Sequence, residues 1–512
     1  MKKCRECQHD VSEHAVACPN CGARYPAKEK WDGWGYEYKS KTTIRGIPLL
    51  HISFKYRPNF MPVPAKGIIS IGQFGIGVIN ISQFGLGVIS ISQFTIALYA
   101  LAQIAIAYSL VAQVGLYVHK GYGQLVWDIT ELAKNSYVSS QLEPSNQYTY
   151  RPPENINDGL DVGSLDEANI DAELIEDAVN KIQRGRYKEV HSMLIFKDEK
   201  LVLEEYFKGH QYKWDAPNHH GESVTWDRSM LHGVKSVTKS ITSTCIGIAI
   251  DQGFIKSVHQ SIFDYLPEHR HLKTDGKDKI TIEHLLTMTS GLAWDEWGAP
   301  LSSPKNDIIG LWFQDKDPIT CILERRLINE PGTSFTYSGG NMIVLGEIVR
   351  NATKMTIDAF SRKYLFEPLG IDSSHWAIQF ENGVFEAAGS LEITPRDMAK
   401  IGVTFLDKGT WKGKRIISEQ WVEKSAMPFP GNQGINVPGT DSGENGYSYS
   451  WWIKTISDSG KRIDMFYAGG WGGQDIMVIP ELNTVVVFTG GSFLTKTRQF
   501  KILGKYIIPA IV

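Results

Sequence analysis

Between residues 67 and 118 the chain has no charged side chain, and its small and large residues keep a step of five. Small residues stand at Gly72, Gly77, Ser82, Gly87, Ser92, Ala97, Ala102, Ala107 and Ala112. Large ones follow two positions later at Phe74, Ile79, Phe84, Ile89, Phe94 and Tyr99. Gln73, Gln83, Gln93, Gln103 and Gln113 recur every ten. A step of five matches neither the helical period of 3.6 nor the strand period of 2. It predicts a short β-solenoid in which each five-residue step forms one side of a square coil. The competing geometry is two membrane-spanning helices, for which an uncharged run of this length suffices. Gly, Ile and Val are poor helix formers in water, although Gly is better tolerated in membrane helices. The expectation is a flat apolar coil, able to lie against a membrane or a second copy of itself.

Elsewhere the pattern is that of a folded globular domain. Residues 158–512 alternate strands and helices, predicting an α/β or α+β domain. Ile241, Cys245, Ile248 and Ala249 fall at helical spacing, with Gly253 as a stop. Val485-Val-Val-Phe488 reads as a buried strand. Residues 119–157, with Ser-Asn, Arg-Pro-Pro and Asn-Asp-Gly breakers, read as a linker. Residues 28–66 are aromatic and basic and carry no assignable role.

Composition adds bounds. A chain of 512 residues is too long for one core. A net charge of -3 gives no reason to expect nucleic acid. The start, Met-Lys-Lys-Cys-Arg-Glu-Cys, is not followed by an apolar run, so no secretory signal is read and a cytoplasmic setting is expected. Paired cysteines then read as metal ligands. Cys4-x2-Cys7 and Cys18-x2-Cys21 offer two thiolate knuckles, enough to close a tetrahedral structural zinc site over residues 1–27. This module resembles a zinc ribbon. The repeat over 67–118 resembles pentapeptide-repeat coils, except that the polar residue before the large one is missing at alternate steps. Cys245 and Cys321 sit in apolar contexts and read as buried free thiols.

Ser236-Val-Thr-Lys239 opens the predicted helix. Three residues apart, the two side chains share one helix face. A serine hydroxyl needs a base to become a nucleophile, and a buried lysine loses its proton more readily. The helix N-terminus favours the oxyanion formed on attack. Ser302-Ser-Pro-Lys305 matches the same spacing but has a proline and no apolar helix behind it.

Leu231-His-Gly-Val-Lys-Ser236-Val-Thr-Lys239 resembles the nucleophile motif of class C β-lactamases and related esterases and peptidases. Ile280 to Leu292, Pro331-Gly-Thr-Ser-Phe-Thr-Tyr337-Ser-Gly339, Ala388-Gly-Ser-Leu391 with Thr394-Pro-Arg-Asp397, and Tyr467-Ala-Gly-Gly-Trp-Gly-Gly-Gln474 resemble its other hallmark stretches, in family order, over residues 158–512. The resemblance implies a β-lactamase/transpeptidase-like domain, an antiparallel sheet flanked by helices plus a helical lobe, with the site between. It implies Ser236 as nucleophile, Lys239 and Tyr337 as proton-handling partners, and the backbone N–H groups of Ser236 and Gly470 as oxyanion donors, with no catalytic cofactor. Two positions depart from the pattern. Gly339 replaces the asparagine after the tyrosine, and Tyr467-Ala468 replaces the Lys-Thr that binds a β-lactam carboxylate. These departures resemble esterases and hydrolases of linear nylon oligomers, so a small-molecule ester or linear amide is the expected substrate. A non-catalytic binding protein that keeps the fold, and a β-lactamase or D-amino-acid peptidase, are the alternatives. His219, His220 and His232 lie near these motifs and read as surface or core residues; Trp294, Trp297 and Trp471 read as packing residues, with lining of the cleft as the alternative.

Overall fold

The computed structural model describes residues 1–129, 147–301, 303–458 and 460–512. The middle of the expected linker and Ser302 of the second Ser-x-x-Lys match therefore lie outside the described residues. The chain divides into two compact units, Met1–Asn146 and Gln147–Val512.

In the first unit, strands β1 (Lys2–Lys3) and β2 (Asp10–Val11) pair antiparallel beside the cysteines. The unassigned stretch 28–66 supplies β3 (Trp34–Lys39) and β4 (Leu50–Tyr56), which pair antiparallel. Extended backbone, β5, then runs from Ala65 to Asp128. Leu50–Ser53 of β4 pairs in parallel with Ile69–Gly72.

The coil is β-structured, as the step of five predicts, but its turn takes ten residues rather than the twenty of a square coil. Side chains ten apart stack: Phe74, Phe84 and Phe94 have ring centroids 5.0 and 5.1 Å apart. That is one strand spacing per ten residues. Inside, Ser70 Oγ donates to Asn80 Oδ1 (3.0 Å) and Asn80 Nδ2 to Ser90 Oγ (2.9 Å). Residues five apart meet across the interior, where the Thr95 hydroxyl bonds that of Ser90 at 2.7 Å. Small interior residues let two opposite sides touch, so no third or fourth side forms. Residues 119–128 continue β5 and are not a linker.

The second unit begins at Gln147, earlier than the expected 158. Tyr148 and Tyr150 are tied into it, their hydroxyls donating to Glu205 Oε1 (2.5 Å) and Val202 O (2.7 Å). Its centre is an eight-stranded antiparallel sheet. In chain order the strands are β6 (Val190–Lys197), β7 (Lys200–Tyr206), β8 (Ile435–Asn436), β9 (Glu444–Ser448), β10 (Trp451–Asp458), β11 (Lys461–Gly470), β12 (Gln474–Ile479) and β13 (Thr484–Gly490). Across the sheet they lie in the order β8-β9-β10-β11-β12-β13-β6-β7. The central strands are apolar on both faces because helices cover both.

Helix α1 (Val237–Asp251) is buried from Val237 to Ala249. Its apolar residues fill the core, and its hydroxyls hold loops. Ser240 Oγ donates to Ser450 O (2.6 Å), Thr242 Oγ1 to Ala387 O (2.8 Å) and Ser243 Oγ to Tyr449 O (2.7 Å). Buried hydroxyls need such partners, and here the partners are the loops that complete the site. Helix α2 (Gly339–Thr353) packs beside α1, starting directly after Tyr337. Cys245 and Cys321 are buried free thiols.

Candidate active site

Ser236 is the N-cap of α1, yet its hydroxyl makes no capping bond. Lys239, one turn on, donates its Nζ to Ser236 Oγ at 3.1 Å and to Ala388 O at 3.0 Å. The preceding Lys235 has φ of 51°, a left-handed conformation that a lysine adopts only under constraint. Burial pushes Lys239 below the usual lysine range, while the carboxyls of Glu296 and Glu386 pull it back up. Burial likewise raises both acids, Glu386 to about 7. A buried amine flanked by two protonatable carboxyls has a neutral form within reach, as a base must.

Tyr337 closes the third side. It lines the same cavity as Ser236, and its ring centroid lies 4.8 Å from Lys239 Nζ. Trp297 and Trp452 both stack on that ring, at 5.1 and 5.9 Å, which restricts its orientation. Burial, with Glu296 next, raises the Tyr337 phenol well above its ordinary value, so the resting side chain is neutral. Ser236 opens onto two cavities of about 460 and 580 Å³. Trp471, Tyr467 and Gly470 line the first, and Trp214, Ile308 and Trp312 the second.

Residues 186–493, more than half of the chain, match the family described as Beta-lactamase. The chain belongs to the β-lactamase family. The 6-aminohexanoate-dimer hydrolase of Paenarthrobacter ureafaciens is 28% identical over 264 residues, covering 50% of this chain and 65% of that protein, just short of two thirds. A solved family VIII carboxylesterase superposes with a TM-score of 0.50 at 17% identity, covering 66% of this chain and 96% of that one. The latter likeness concerns the fold alone.

Within this family frame, Gly470 ends β11 against the start of α1. A Cβ there would lie 2.3 Å from Val234 O, so only glycine allows the strand to run so close to Ser236. At the family's asparagine position, the space beside Gly339 is filled from another segment. The Gly339 N–H donates to Glu296 Oε2, and a Cβ on residue 339 would sit 3.1 Å from Glu296 Oε1 and 2.8 Å from Ile308 Cδ1. Trp294 Nε1 also donates to Glu296, at 2.6 Å. At the family's cationic position, Tyr467 is buried, and its hydroxyl donates to Asn445 Oδ1 at 3.1 Å. No charge stands there. Behind it Asp475 lines the same cavity, buried and with its carboxyl raised well above the usual range by desolvation.

Glu296, Glu386 and Asp475 were not singled out from the sequence. Isolated acids or short acidic pairs between aromatic or small residues, as in Trp294-Asp-Glu-Trp297, carry no periodic signal of burial. Of the neighbouring residues, Trp297, Trp471 and His219 line the cleft, whereas Trp294 and His232 are buried in packing. His220 and His210 stack at 4.5 Å and form a cluster with Glu189. His210 Nδ1 bonds Glu189 Oε1 (2.8 Å) and His220 Nε2 bonds Gly491 O (2.9 Å), so hydrogen bonds already account for this group.

In the first unit, the sulfurs of Cys4, Cys7, Cys18 and Cys21 lie within 4.8 Å of one another. Cys4–Cys21 and Cys7–Cys18 are each 3.6 Å apart. This exceeds a disulfide bond and approaches the roughly 3.8 Å edge of a tetrahedron with Zn–S bonds of ~2.3 Å. The four thiols fit a structural zinc ion.

Proposed function

We propose that the second unit is a serine hydrolase that forms an acyl-enzyme on Ser236 and acts on uncharged esters and linear amides. The observation that carries this reading is Lys239 Nζ, buried and 3.1 Å from Ser236 Oγ. Neutral Lys239 takes the hydroxyl proton as Oγ bonds to the carbonyl carbon. The backbone N–H groups of Ser236 and Gly470 hold the oxyanion. As the carbonyl–heteroatom bond breaks, the proton passes to the leaving alcohol or amine, with Tyr337 as the neutral relay. Water then adds to the acyl carbon by the reverse proton path, releasing the acid and restoring the Ser236 hydroxyl.

The neutral, internally bonded Tyr467 supports an uncharged substrate, because a β-lactam carboxylate would meet no cation there. The relative named for a 6-aminohexanoate dimer supports a linear amide among the substrates. Two measurements test the reading. A fluorophosphonate should label the parent and not Ser236→Ala; a parent that stays unlabelled would favour a binding protein without turnover. A nitrophenyl ester should exceed a chromogenic cephalosporin in kcat/KM, and the opposite order would restore a β-lactamase.

The four N-terminal thiols support a structural zinc ion, and thiols kept as ligands support a reducing, cytoplasmic setting. Among the described residues no helix is long and apolar enough to cross a membrane. The coil's outer surface supports association with lipid or a second copy.

A further inference from the structure

The coil of the first unit is inverted relative to a water-soluble solenoid. Its interior carries polar side chains that satisfy one another: Ser70, Asn80, Ser90 and Thr95 form one hydrogen-bonded file. Its outward positions are large and apolar. Alternation along each side places Ser90 and Ser92 inside with Ile91 outside, and Thr95 inside with Ile96 outside. Since Ser90 and Thr95 meet across the interior, Ile91 and Ile96 stand on opposite faces. Ile81, Ile91 and Leu101 make one exposed face, and Leu86, Ile96 and Ile106 the other. The corners add Phe84 and Phe94 at one edge and Ile89 and Tyr99 at the other, all exposed.

We infer that this coil inserts into a lipid bilayer, with its long axis along the membrane normal. A protein partner covers one patch and leaves a polar rim. Here both faces and both corners are apolar, and no charge occurs from 67 to 118. A second copy would cover one face and leave the other in water. The length agrees as well: roughly five coils at ~4.8 Å give about 25 Å, the height of the apolar band on membrane barrels. Charges and amphipathic rings resume at the two ends, with Lys55, Arg57, Lys66, Tyr36 and Tyr38 before the run and His119, Lys120, Tyr122 and Trp127 after it. Such rings settle at membrane–water interfaces. Ladder hydrogen bonds between stacked coils run along the axis, so no strand edge faces the lipid laterally. The first coil is covered by β4, through the Leu50–Ser53 pairing with Ile69–Gly72. The one polar outward column is the file of glutamines, whose neutral amides recur at coil spacing and can pair in a ladder.

The test is flotation of the full chain with phosphatidylcholine vesicles at high salt and after carbonate washing. The protein should float. Leu86→Lys on one face and Ile91→Lys on the other should each lower the vesicle-bound to free ratio at least tenfold, with circular dichroism unchanged. Three results would overturn the inference: a parent that stays unbound, sensitivity on one face only, or a stable lipid-free dimer abolished by the same substitutions.

Discussion

Replacing Glu386 by glutamine should move the pH profile of hydrolysis while leaving the fold intact. Lys239 is pushed down by burial and pulled up by Glu296 and Glu386, so the second carboxylate favours the protonated form of the proposed base. The Glu386 carboxyl accepts the N–H groups of Ala388 (3.1 Å) and Gly389 (2.9 Å), and the Ala388 carbonyl receives Lys239. An opposite charge near an amine favours its protonated form. Glu386→Gln removes that charge and so lowers Lys239, in favour of the free amine. The base is competent above its pKa, so the acidic limb of kcat/KM should shift toward lower pH. At a pH on the parent's acidic limb, the variant should therefore retain a larger fraction of its plateau than the parent does. The assay is nitrophenyl ester hydrolysis read at the isosbestic wavelength. Reading the midpoint separates protonation from any loss of plateau through a displaced Ala388. A limb that stays put, or moves to higher pH, would refute the assignment of Lys239 as base.

Ser236→Ala should lower kcat/KM by ~10³-fold or more, and adding Lys239→Ala should lower it little further, because the two act as a unit. Gly470→Val should lower kcat by about 10²-fold or more through displacement of the strand from Val234, with a thermal melt as the folding control. Elemental analysis should find about one zinc per chain, lost in Cys4→Ser/Cys7→Ser, with ester hydrolysis retained. Absence of metal from the parent would remove the zinc reading.

The proposed trio was legible because each member sits in a local pattern. Ser236 and Lys239 share a helix face by spacing alone, and Tyr337 follows a Pro-Gly turn just before α2. The carboxyls that act on Lys239 were not legible, because burial of Glu296 and Glu386 is decided by segments distant in the chain. The departure at Gly339 illustrates the limit. The sequence shows a missing amide, and only the fold shows the Glu296 carboxyl in that space. The coil's step of five was equally plain. The number of sides per turn depends on whether opposite walls touch, which the volumes of Ser90 and Thr95 decide in three dimensions. The boundary at Gln147 was missed because Tyr148 and Tyr150 sit among linker-like residues while their hydroxyls reach β7.

A turn of ten residues also makes the length of this segment discrete. An insertion of ten would add one layer of ~4.8 Å and leave every column in place. An insertion of five would carry the glutamine file onto the aliphatic corner beyond it and interrupt the stack of Phe74, Phe84 and Phe94. Length changes that keep the columns in place therefore come in whole layers, and the height of the stack is set by the number of ten-residue turns.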